Sequence, residues 1–235
     1  MKKRNKALLL GVALLSSAIA SPIAGEMNAA AANAVYLSSE AIVLGANQQY
    51  EAHIFLSNFA EQDISSFDIN TASTRDLVDF AFLHALINRR SNIQYAGNYC
   101  FISMANINDI LNRFFDITLS NSQMAGYTNA YGDGYFSNGN VYWSAGAGEM
   151  HLGLTIVDRA DRLSDGSIQL TYTDYKYVVG PDEDGVPSSI YGLAPSEAAA
   201  SSRLSKRGHG VAIVVPYSYN GKQSYQLHRM YSTGY

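Results

Sequence analysis

Three aspartates offer the nearest approach to a catalytic pair. Asp158 and Asp161, with Asp174 across an expected hairpin, could supply the two carboxylates that flank the bond in glycoside hydrolysis. Arg159 and Arg162 interleave with them, which makes solvent-facing ion pairs the simpler reading. Cys100 would need a histidine base and an activating environment to act as a nucleophile. Its neighbours Tyr99, Phe101 and Ile102 instead describe a core strand. The five histidines form no i, i+4 pair and no local metal template. His84 shares a helical face with Leu77, Phe80, Ala81 and Ile87, the setting of a buried core histidine. His209 and His228 approach only in sequence pattern: a simple hairpin register places His228 opposite Ile213, about 13 Å along the strand from His209. His151 has no recognisable partner.

Asp182-Glu183-Asp184-Gly185 imitates part of a calcium loop. Gly180 stands where the first ligand belongs and Tyr191 where the closing glutamate belongs, so the segment reads as an acidic solvent loop. No Gly-x-Ser-x-Gly elbow occurs, and neither a cofactor nor a metal is expected. The compositional anomaly is tyrosine. Seventeen occur, thirteen of them from Tyr127 onward, together with the only tryptophan, Trp143. Aromatic side chains on a curved sheet provide a stacking and hydrogen-bonding platform, because each has an apolar face and, in tyrosine and tryptophan, a polar tip. Trp143, Tyr175, Tyr177, Tyr217 and Tyr219 are the leading ligand-binding candidates on this reading. Tyrosine also suits half-exposed antiparallel strands for purely structural reasons, and Tyr175 and Tyr177 share an expected face with Leu154 and Ile156.

The elements that must position these residues change character along the chain. Tyr50–Leu56 reads as a strand with Tyr50, Ala52, Ile54 and Leu56 on one face, a helix being the alternative. Asn58–Thr74 is polar and reads as a loop. Ser73 or Thr74 then caps a helix running to about Arg90, whose apolar residues from Leu77 to Ile87 cover nearly its whole circumference, as in a buried helix. A short strand over Tyr99–Met104 leads to a second helix, Ile107–Phe115, with Asn106 as its expected N-cap. Beyond Asp116 the pattern is β, punctuated by Asp133-Gly134, Asn138-Gly139, Asp165-Gly166 and Asn220-Gly221.

Two hairpins can be registered. The Asn220-Gly221 turn pairs Tyr219 with Lys222 and Tyr217 with Ser224. The Asp165-Gly166 turn pairs Leu163 with Ile168 and Ile156 with Tyr175. In the second hairpin the apolar face near the turn is not the apolar face farther out, which requires a bulge or bend near Asp158–Asp161. A long loop at about 180–209 holds Pro181, Pro187 and Pro195, with a short helix expected within Pro195–Leu204.

The N-terminus reads as an export signal. Lys2, Lys3, Arg4 and Lys6 precede fourteen mostly apolar residues, Ala7–Ala20, too few to span a bilayer. Cleavage is expected after Ala34 and leaves 35–235 as a single domain with 12 positive and 19 negative residues, a charge of −7. That balance excludes nucleic acid as a partner, and no later segment is apolar and long enough to re-enter a membrane. The solitary Cys100 allows no intrachain disulfide.

Ile54-Phe55-Leu56-Ser57-Asn58-Phe59-Ala60-Glu61, Leu77-Val78-Asp79-Phe80-Ala81-Phe82-Leu83-His84 with Ile87-Asn88, and Ile107–Phe115 together resemble uncharacterised secreted domains of Gram-positive bacteria. The resemblance covers about half of the mature chain and carries no functional residues with it. It implies an extracytoplasmic helix-plus-sheet module, similar in layout to cystatin-like or nuclear-transport-factor-like folds. The expected fold is therefore α+β, with two helices packed on one face of a curved antiparallel sheet. The expected function is that of a secreted, non-catalytic envelope-associated binding protein for peptide, glycan or an extracellular enzyme, with a hydrolase of cell-wall or dietary polymer as the alternative.

Overall fold

The Ser73 helix cap and the two Asn-Gly turns stand where the sequence expects them, and three bulges shape the large sheet. The structure, a computed structural model, describes residues 39–146, 152–180 and 185–233. The export signal, His151 and the Asp182-Glu183-Asp184 run lie outside the described residues. The fold is α+β, with two antiparallel sheets. Among the described residues no helix is long and apolar enough to cross a membrane.

The elements in order are β1 (Ser39–Ile42), α1 (Ala46–Ala60), β2 (Ser66–Asp68), α2 (Thr74–Asn88), β3 (Gln94–Ala96), β4 (Tyr99–Ser103), α3 (Met104–Phe115), β5 (Tyr135–Ser137), β6 (Asn140–Ser144), β7 (Gly153–Leu163), β8 (Ile168–Tyr177), α4 (Pro195–Ala200), β9 (Leu204–Tyr219) and β10 (Lys222–Thr233). The large sheet has the order β1-β7-β8-β9-β10-β2 and the small sheet β3-β4-β6-β5.

The strand expected at Tyr50–Leu56 is helix α1. Its buried apolar residues Ala52, Phe55, Leu56, Phe59 and Ala60 follow i, i+3, i+4, i+7, i+8, a period visible only when Phe59 and Ala60 are read with the segment rather than assigned to a loop. Ser57 and Asn58 remain inside the helix by donating back to the carbonyls of His53 (2.7 Å) and Ile54 (2.6 Å). Helix α2 begins as expected. The Ser73 hydroxyl accepts from Asp76 N at 3.2 Å, and the Asp76 carboxylate accepts from Ser73 N at 2.9 Å. Helix α3 starts three residues early, capped by Ser103 rather than Asn106.

The bulge required near Asp158 is present, with a register shift between Val157 and Arg159. It swaps faces: Leu154 and Ile156 join Tyr175 and Tyr177 in a satellite core, while Val157 and Ala160 join the main core. Detailed pairings move accordingly. Leu163 N donates to Ser167 O across the turn, so Arg162 rather than Leu163 opposes Ile168, and Thr173 rather than Tyr175 opposes Ile156. In the β9–β10 hairpin the inner pairs are as expected, but a second shift leaves Arg229, not His228, opposite Ile213. Segment 185–203 of the expected loop holds a 3-10 turn (Ser188–Gly192) and, where a short helix was expected, α4; their residues cover the satellite core.

Helix α1 lies on β7 and β10, close enough that a Cβ on Gly153 would fall 2.1 Å from Ala60 O. Gly210 is equally constrained, since a Cβ there would meet the Tyr172 ring at 2.5 Å. Helix α2 is buried on both sides. Phe80 packs among Phe59 (4.8 Å), Phe114 (5.0 Å) and Phe115 (5.0 Å), while Phe82 stacks on Trp143 of the small sheet at 4.4 Å. Among the described residues the helices thus number three long ones and a short fourth, where two long ones and a short one in the loop were expected.

Candidate functional site

The five aromatic candidates from the sequence do not come together. Trp143, Tyr175 and Tyr177 are buried, at 5%, 5% and 2% exposure. Trp143 is the rivet between the small sheet and α2: its ring lies on Phe82, its Nε1 donates to Tyr127 OH (2.9 Å), and Tyr127 donates to Asp79 Oδ1 (2.7 Å). Burial raises the Asp79 pKa, against the hydrogen bonds from Tyr127 and Ala130 N that hold its charge. Tyr175 and Tyr177 lie under α4, with the Arg203 guanidinium over the Tyr177 ring. Tyr217 and Tyr219 are half-exposed at the end of β9. The Tyr219 hydroxyl is engaged by Asp109 at 3.0 Å and its ring by Arg113.

A different aromatic group is assembled on the outer face of the small sheet. Alternation along β4 places Tyr99 and Phe101 on the side opposite Cys100 and Ile102, which are buried. Pairing sets Phe101 opposite Tyr142 and Tyr142 opposite Tyr135. The rings form a continuous ridge: Phe101 to Tyr142 at 5.0 Å, Tyr142 to Tyr135 at 4.9 Å with planes 5° apart, and Tyr99 edge-on to Tyr135 at 5.4 Å. Tyr99, Phe101 and Tyr142 are half-exposed and Tyr135 is 39% exposed. Gln94, Ser137, Asn140 and Ser144 flank the ridge on the same face. The signal for this ridge is local. The Asn138-Gly139 turn, with φ of 48° and 74°, forces Ser137 opposite Asn140 and therefore Tyr135 opposite Tyr142.

A second feature is a partly buried polar cluster where α1, α2 and the 3-10 turn meet, with His53, Asn58 and His84 buried and Asn88 at its exposed rim. The Asn88 amide donates to Glu61 Oε2 (3.0 Å) and Asn58 Oδ1 (3.3 Å), and stands 3.4 Å from His84 Nδ1. Tyr191 donates to Glu61 Oε1 (3.4 Å), and His53 Nδ1 donates to Tyr191 O (2.8 Å). Burial pushes the Glu61 carboxyl up to about 7, against the hydrogen bonds from Asn88 and Tyr191. Burial, helped by the nearby Arg113 and Arg89 charges, lowers His84 to about 3, and burial also lowers His53. Among the described residues Nε2 of His84 has no hydrogen-bond partner.

The other candidates separate. Asp174 is buried on the helix-covered side, accepting from Thr155 Oγ1 (2.6 Å) and Ser232 Oγ. Asp158 accepts from Thr173 Oγ1 (2.8 Å), and Asp161 pairs with Arg159 at 2.6 Å. They therefore form no facing carboxylate pair. Cys100 is a buried free thiol whose Sγ donates to Trp143 O at 3.6 Å, and burial raises its pKa. Among the described residues no group of three or more His, Cys, Asp or Glu is placed to hold a metal. A groove of about 500 Å³ between β1 and the β9–β10 hairpin has Arg162 as its one charged lining residue.

No family model matches the chain, and neither a curated protein nor a solved structure does.

Proposed function

We propose that the protein is a secreted, non-catalytic binding protein of the cell envelope that recognises its ligand through the ridge formed by Tyr99, Phe101, Tyr142 and Tyr135. The supporting observation is that these four rings contact one another on a solvent-facing sheet surface, while the structural aromatics Trp143, Tyr175 and Tyr177 are buried. Pre-stacked rings lose little conformational entropy when a ligand lands on them. The resemblance to secreted domains of Gram-positive bacteria and the basic-apolar-small N-terminus belong to the same reading. So does a cystatin-like or nuclear-transport-factor-like layout for the large sheet and its helices, with the small sheet as an addition.

The test is a panel of immobilised glycans and peptides probed with the mature chain and with a Tyr135→Ala/Tyr142→Ala variant. Loss of the wild-type profile in a variant with unchanged melting temperature supports the ridge as the site. An identical profile removes it. N-terminal sequencing of protein recovered outside the cell tests export, with a start near Val35 expected.

A hydrolase of cell-wall or dietary polymer is the second reading, favoured by Glu61. A carboxyl held near pH 7 by burial is suited to general-acid work. The described residues in hydrogen-bond contact with it are Asn88 and Tyr191, which supply no second carboxylate.

A further inference from the structure

Resting on the binding reading above, we propose that the ridge takes a neutral pyranose glycan. Three observations on this face converge on that chemistry. The first is charge. Every residue that β3, β4, β5 and β6 contribute to this face is uncharged: Gln94, Ala96, Tyr99, Phe101, Ser103, Tyr135, Ser137, Asn140, Tyr142 and Ser144. An anionic or cationic ligand would lose its hydration there without gaining a counter-charge, whereas a neutral polyol loses none of that electrostatic free energy.

The second is the state of the hydroxyls. Several tyrosines have theirs engaged within the protein: Tyr127 by Asp79, Tyr177 by Arg203, Tyr191 by Glu61, Tyr219 by Asp109 and Tyr225 by Gln48 O. Among the described residues, those of Tyr99, Tyr135 and Tyr142 have no protein partner. The ridge therefore presents three hydroxyls that both donate and accept, set on apolar ring edges. A sugar offers the matching surface, with C–H groups beside hydroxyls that donate and accept.

The third is shape. The ridge has ring-to-ring steps of 5.0 and 4.9 Å, with the short side chains of Ser137, Asn140 and Ser144 beside it. Consecutive rings of a chain can follow such a crest. A peptide is served less well, because peptide recognition on sheets uses a free strand edge or side-chain pockets. Here the backbone groups of β4 and β6 are consumed by pairing on both sides, and the edge strands β3 and β5 are only three residues long.

The experiment is depletion of the purified mature chain onto insoluble cellulose, chitin and starch granules at low and high salt, with polygalacturonate as the anionic comparison and a peptide array alongside. Wild type should bind at least one neutral polysaccharide with an affinity that high salt leaves unchanged. Tyr135→Ala/Tyr142→Ala should weaken that binding about tenfold or more, and Tyr142→Phe, which keeps the stack and removes one hydroxyl, should fall between. Near-ultraviolet circular dichroism establishes that each variant is folded, and Phe101→Leu provides a second probe if the double variant is not. Failure to bind any neutral polysaccharide, or salt-sensitive preference for polygalacturonate, overturns the glycan assignment. If the peptide array then loses its signal in the ridge variant, the ridge as a site survives. Undiminished polysaccharide binding by a folded ridge variant overturns both.

Discussion

Replacing Glu61 by glutamine should change how stability depends on pH. In the folded chain the Glu61 carboxyl is raised from 4.5 to about 7, chiefly by burial. Between those values the folded state holds a proton that the unfolded state has released, so stability is full below about pH 4.5 and falls as pH rises toward 7. That difference corresponds to about 3 kcal/mol at most, with a slope near 1.4 kcal/mol for each step of one in pH. His84 acts in the opposite sense. Its value falls from 6.5 to about 3, so from pH 3 to 6.5 the unfolded state binds the extra proton and stability rises with pH. In wild type the two slopes oppose one another between pH 4.5 and 6.5. Glutamine keeps the shape and one acceptor but cannot ionise, so Glu61→Gln should expose the His84 rise. The assay is urea unfolding of both proteins at half-unit intervals from pH 4.5 to 8. The stability difference, variant minus wild type, should grow across pH 4.5–7 by up to about 3 kcal/mol and then level off. A difference constant within about 0.5 kcal/mol over that range would refute the assignment of a buried, proton-holding Glu61.

Two substitutions test the packing. Phe80→Ala removes a ring that is 1% exposed and in contact with five other rings, and should cost about 3–5 kcal/mol in chemical denaturation; a loss below about 0.5 kcal/mol would place the ring outside the core. Gly153→Ala pushes a methyl to 2.1 Å from the Ala60 carbonyl oxygen, a backbone atom, and should lower stability by about 1–3 kcal/mol, about 2–4 °C in melting temperature per kcal/mol. An unchanged melting temperature would mean that α1 does not sit against β7.

Legibility followed the range of the interactions. The Asp158 bulge could be inferred because an apolar pattern that changes face along one strand has only that local remedy. Which aromatic residues remain on the surface could not. Trp143 and Tyr142 are adjacent in sequence, and alternation alone says only that they point opposite ways. Which way is inward depends on α2 lying beneath Trp143, a contact between residues 82 and 143. Helix α1 was hidden for a related reason, since Tyr50–Leu56 satisfies a period of two over its own length and reveals a helical period only with Phe59 and Ala60.

By itself the sequence determined the α+β class, the capped α2 with apolar residues around most of its circumference, the Asn-Gly turns and the tyrosine-rich β half, because caps, turn conformations and hydrophobic periods are set by residues within a few positions of one another. Only the tertiary structure decided which tyrosines are spent on the core and which remain on the surface, how β3–β6 join into a second sheet, and that Glu61, Asn88, His84 and Tyr191 meet. Those outcomes depend on contacts between segments distant in sequence, where the side a residue faces is decided by what packs against it.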